Sequence, residues 1–91
     1  MSRAIILSQS GVGLSSGRTM NLSPGGACGV MRKPLHLSLG DEVVVTLAIP
    51  RLTPSGPSYE QMVTSARVCR IENLGSDVVV ALHFKQEIDT A

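Results

Sequence analysis

The stretch Asn21-Leu22-Ser23-Pro24-Gly25-Gly26 holds the residue types best suited to gripping a small polar ligand. An amide and a hydroxyl two apart on a strand project to one face, and a following glycine lets backbone approach a bulky group closely. A guanine edge or a phosphate would suit such a place. Arg18 stands three residues before Asn21 and can bring a guanidinium, with its planar fork of donors, to the same face. Arg3 is the other cation on this side of the motif and the only basic residue near the start. A plainer reading stands beside this one. Asn, Ser, Pro and Gly are the residues of any tight turn, where the short polar side chains bond their own backbone.

Nothing else in the chain suggests catalysis. His36 and His83 are far apart, with no cysteine or carboxylate at a metal-ligand spacing near either. There is no Ser/His/Asp or Cys/His set and no evident carboxylate pair, so the expectation is a protein that is not an enzyme, with no metal and no cofactor. Gly11-Val12-Gly13 lacks the Lys-Ser/Thr ending of a phosphate loop and precedes no helix. Cys28 and Cys69 fall in predicted strands and are assigned to packing; without a secretory leader they point to a reduced, cytoplasmic setting. Asn21-Leu22-Ser23 matches a glycosylation sequon, but Pro24 follows directly and the chain shows no secretory signal. Arg67 and Arg70 lie in a long predicted strand and are expected to face solvent.

The elements that must position these residues are strands. Of 91 residues 43% are apolar, enough for one modest core and one domain over 1–91. Charged residues make up 16%, scattered, with a net charge of +1, so no basic stripe announces nucleic acid. Tyr59 and Phe84 are too few aromatics for a base-stacking surface, and no apolar run approaches the roughly 18 residues of a membrane span. Apolar residues recur with period two and are mostly β-branched, which makes the chain all-β.

Strands are expected over 3–8, 18–22, 27–31, 42–49, 60–71 and 77–84. In the strongest, Val43, Val45, Leu47 and Ile49 share one face; in the last, Val78, Val80, Leu82 and Phe84 do. Gly11, Gly13, Ser15, Ser16 and Gly17 read as a hairpin loop, Ser23 to Gly26 as a tight turn, and Pro50 to Ser58 as an exposed connection unable to pair as a central strand. Six antiparallel strands without a helix suggest a closed or partly closed β-barrel, which leaves no exposed edges.

Asn21, Ser23 and Gly26 occupy the three fixed positions of (Asp/Asn)-x-Ser-x-x-Gly, the second motif of the PilZ family, which this segment resembles. The resemblance continues through Pro34-Leu35 and Gly40-Asp41 into the strand that follows, and through Ala66 to Ile71 and Val79 to Phe84, similar to the family's closing hairpin. It covers about Ile5 to Phe84 in order. It implies a small antiparallel split barrel of bacterial second-messenger signalling that binds cyclic di-GMP, with Asn21, Ser23, Gly26, Arg18 and Arg3 as candidate ligand contacts. The family's Arg-x-x-x-Arg pair, which grips the guanines and phosphates, is missing: the residue four after Arg3 is Leu7. Met1 reads as a natural start, which favours loss of the pair over its lying upstream. Two functions remain open, a cyclic di-GMP-responsive signalling module and a degenerate PilZ-fold adaptor that touches a protein partner instead. The oligomeric state is not legible.

Overall fold

The computed structural model describes residues 3–88. Its strands are β1 (Ala4–Gln9), β2 (Val12–Ser23), β3 (Gly26–Arg32), β4 (Glu42–Thr53), β5 (Gly56–Leu74) and β6 (Asp77–Phe84), with no helix among the described residues. All neighbours are antiparallel, and the sheet closes into a ring in the order β1-β2-β3-β6-β5-β4. Alternation dictates what the ring encloses. Val43, Val45, Leu47 and Ile49 of β4 are buried with Ile5 and Leu7 of β1, Met31 of β3, Val68 of β5 and Val80, Leu82 and Phe84 of β6. The apolar faces expected to be shared in the fourth and sixth strands are the ones turned inward, and Asp77–Phe84 has the expected bounds. Ile88, beyond β6, closes one end of this core, held by a bond from its N–H to the Pro24 carbonyl.

Two loop expectations are overturned. Gly13, Ser15, Ser16 and Gly17 belong to β2, not to a loop. The turn is only Ser10-Gly11, both at positive φ (51° and 78°), as a two-residue hairpin matched to strand twist requires. Weak hydrophobicity misleads here because small residues are what the site demands: Gly17 lies so close to β3 that a Cβ would meet the Val30 carbonyl oxygen at 1.9 Å. β1 is accordingly displaced by one residue from the expected 3–8.

The segment 50–58 is likewise not a connection but the far end of a hairpin. β4 and β5 pair without interruption from Glu42↔Arg67 to Thr53↔Gly56, and Pro50 pairs with Tyr59. β1 pairs with β4 only up to Leu47, and β6 reaches β5 only from Ala66, so the rest of the hairpin stands out from the ring as a two-stranded arm. Proline is tolerated in it because an edge strand leaves amides unbonded in any case. The arm fits a molecule 42 Å long and 26 by 23 Å across, since twelve residues at about 3.3 Å each span about 40 Å.

Beside the ring's C-terminal end, Lys85 Nζ lies 2.7 Å from Glu42 Oε1. The hydrogen bond and the positive charge of Lys85 hold the exposed Glu42 carboxyl below the usual carboxylate range. No helix of the described residues is long and apolar enough to cross a membrane.

Candidate ligand-binding face

Register decides which side chains meet outside the ring. The turn Pro24-Gly25 joins β2 to β3, and a register shift between Thr19 and Asn21 sets Asn21 opposite Cys28 and Ser23 opposite Gly26. Thr19 is buried and Leu22 packs against the core, so Asn21, exposed between them, faces outward, as does the exposed Ser23. The two polar side chains share a face, as expected, although the extra residue Met20 precedes them rather than a regular strand.

Following the ladders outward gives three rows across four strands. Ser23, Gly26, His83 and Arg67 form the first; Asn21, Cys28, Ala81 and Arg70 the second; Arg18, Val30, Val79 and Glu72 the third. A register shift between Val68 and Arg70 makes Cys69 the extra residue of β5 and aims Arg70 back over Ala81. Arg70 thereby reaches across β6: its Nη2 lies 3.8 Å from Cys28 Sγ and its Nη1 3.9 Å from Glu72 Oε1. The outer face of β2, β3, β6 and β5 thus holds an amide, a hydroxyl, an imidazole, three guanidiniums and the Glu72 carboxylate around a low floor of Cys28, Ala81, Val30 and Val79.

Both cysteines lie in strands, as expected, but the packing assignment fails for each. Cys28 is half-buried on this outer face, between the inward Ala27 and Gly29, and Cys69 is exposed at the bulge; neither belongs to the core. His36 and His83 are exposed. No group of three metal-ligating side chains occurs among the described residues.

The other expected contacts are placed as follows. Arg18 is on the face, opposite Val30. Arg3 is tied to β2 by backbone: its N–H donates to Thr19 Oγ1 and its carbonyl accepts from Thr19 N–H, both at 2.8 Å. Ser23 Oγ donates to the Gly26 carbonyl at 3.3 Å, so the hydroxyl serves the turn, as the plainer reading of the motif expects. Gly26 is required by β6, because a Cβ there would lie 2.4 Å from the Leu82 carbonyl oxygen. Arg67, Arg70 and His83 were missed as members of the face. Their alternation was readable, but the bulge that sets Arg70 beside Cys28 has no sequence signal. A groove of about 640 Å³ lies elsewhere, under Pro34, Leu35 and Leu37 and against Ile71 and Val78.

A family model for the PilZ domain matches residues 2–91, essentially the whole chain. The chain belongs to the PilZ domain family. PilZ domains are in general cyclic di-GMP-binding modules used in signalling rather than catalysis. Neither the curated proteins nor the solved structures returned a match. Asn21 and Ser23 on β2 and Gly26 on β3 share their exposed surface with the cations of the closing hairpin.

Proposed function

We propose that this PilZ domain is a cyclic di-GMP receptor whose split-barrel ring binds the dinucleotide on the outer face of β2, β3, β6 and β5. The observation that carries the reading is the register that sets Asn21 and Ser23 in the same rows as Arg70 and Arg67, with Arg18 in the next. Cyclic di-GMP presents two phosphodiesters and two guanine edges. Guanidiniums match phosphates through paired, charge-assisted donors, and an amide can both donate to and accept from a guanine edge. Cations from within the sheet would meet the phosphates, with Arg3 fixed nearby by its bonds to Thr19. Binding would alter signalling only to the extent that the ligand prefers one arrangement of the domain and its partner.

A second reading is the degenerate adaptor. It is favoured by the exposed apolar side chains of Ile6 on β1 and of Leu52, Tyr59 and Val63 on the β4–β5 hairpin.

Titration calorimetry with cyclic di-GMP, at low and at physiological salt, separates the two. Saturable binding that weakens with salt is expected of the receptor. Asn21→Ala and Ser23→Ala should each weaken it several-fold, about the worth of one hydrogen bond, while leaving the circular dichroism unchanged. No heat at high ligand concentration would leave the adaptor reading standing.

A further inference from the structure

The arm leaves β5 with an open edge. Between Gly56 and Ser65 this strand is bonded to β4 on one side, and β6 reaches its other side only from Ala66. Hydrogen bonds at the base of the arm reveal which groups point outward. Val68 turns both its N–H and its carbonyl toward Asp41 and Gly40, on the β4 side, whereas the Ser65 carbonyl accepts from Lys85 N–H on the other. Alternation in an unbroken ladder then aims the N–H and carbonyl of Val63, Gln61 and Tyr59 at the open edge.

Natural edge strands are usually blunted by proline, lysine or a bulge. The β4 edge of the arm carries Pro50 and Arg51. Residues 58–64 of β5, Ser-Tyr-Glu-Gln-Met-Val-Thr, carry none of these devices, and their one charge, Glu60, is already bonded to Arg51 at 3.1 Å.

We propose that this edge pairs antiparallel with the same edge of a second copy of the chain, centred on Gln61. That register satisfies more of the outward-pointing groups than its neighbours do. Centred on Gln61, all three outward-pointing residues bond: Gln61 with its own counterpart, and Tyr59 with Val63 in both directions. Tyr59 and Val63, 76% and 64% exposed, are outward-facing side chains of the same sheet surface, so the pairing adds an aromatic against β-branched contact twice. Glu60 falls opposite Met62. Centring on Glu60 would set the two carboxylates face to face, and centring on Met62 would drive Tyr59 against Ser65, whose carbonyl Lys85 already occupies. Along this surface, from Ser8, Val44 and Ser65 out to Leu52 and Pro57, the charge at the base is Lys85, which is paired with Glu42 and would lie nearest Pro57 of the second copy, so two copies meet without like-charge repulsion. The contact is narrow, of the size that gives a concentration-dependent dimer.

Sedimentation of the full chain over a range of concentrations tests this. The expected result is a reversible monomer–dimer equilibrium. Tyr59→Lys/Val63→Lys sets lysine opposite lysine and should weaken the dimer at least about tenfold, whereas Tyr59→Glu/Val63→Lys sets opposite charges across the pair and should restore it. Residues 59 and 63 are too far apart along one strand for this difference to arise within a monomer, and circular dichroism checks that both variants fold. A monomer at every soluble concentration, or dimers indifferent to the sign at position 59, would overturn the proposal.

Discussion

Gly17→Ala is expected to destabilise the domain by roughly 3 kcal/mol or more, a large share of the stability of so small a fold. A Cβ on Gly17 would stand 1.9 Å from the Val30 carbonyl oxygen and 2.8 Å from its carbon. Both atoms are backbone, so no side chain can swing aside. β2 must part from β3 at the one point where it is also paired with Ile5 of β1, and the ladder on either side suffers. Gly13→Ala is the control: nothing lies within 4 Å of its added carbon and its φ is not positive, so a change within about 0.5 kcal/mol is expected. Gly26→Ala should fall between them, with its 2.4 Å approach to the Leu82 carbonyl oxygen. Urea unfolding of the three variants checks the order. Equal midpoints for Gly17→Ala and Gly13→Ala would mean that the two strands are not pressed together at Gly17.

Arg70→Ala should cost cyclic di-GMP affinity by about ten- to a hundredfold, more than either motif alanine, because a bond to a charged group is worth roughly twice a neutral one. Its guanidinium spans β6 to reach Cys28, in the row of Asn21, and the nearby Glu72 lies at 3.9 Å, too loosely to hold it back from a phosphate. The loss should shrink as salt is raised, since screening already weakens what the arginine adds. Arg70→Lys should recover part of it, keeping the charge without the planar fork. Calorimetry on the three proteins is decisive: wild-type affinity in Arg70→Ala would move the ligand off this face.

The shared apolar faces were legible because period-two alternation in 42–49 and 77–84 fixes which side chains a strand turns to one side. Turn chemistry likewise marked the tight turn at Ser23 to Gly26, which the structure centres on Pro24-Gly25. Misreading 11–17 as a loop and 50–58 as a connection has one cause. Glycine and proline were weighed by propensity, while their places were set by neighbours: a strand pressed against Gly17, and a free edge that excuses Pro50. For the candidate site, Asn21 and Ser23 could be read from spacing, and Arg18 from proximity. Arg67, Arg70 and His83 could not be joined to them, since β6 lies beside β3 through a pairing of residues some fifty positions apart, and no local pattern encodes that register.

The strand order has a consequence for how the ring is made. β1, β2 and β3 follow one another through two tight turns, as do β4, β5 and β6, so the domain is two consecutive meanders joined only by the segment 33–41. Each half can zip from its own hairpins, whereas closure waits on two seams between distant parts of the chain. These seams are unequal: β3 and β6 share seven paired positions, β1 and β4 only four. The ring is thus a clasp that fastens last, and parts first, along the short seam where the N-terminal strand meets the base of the arm.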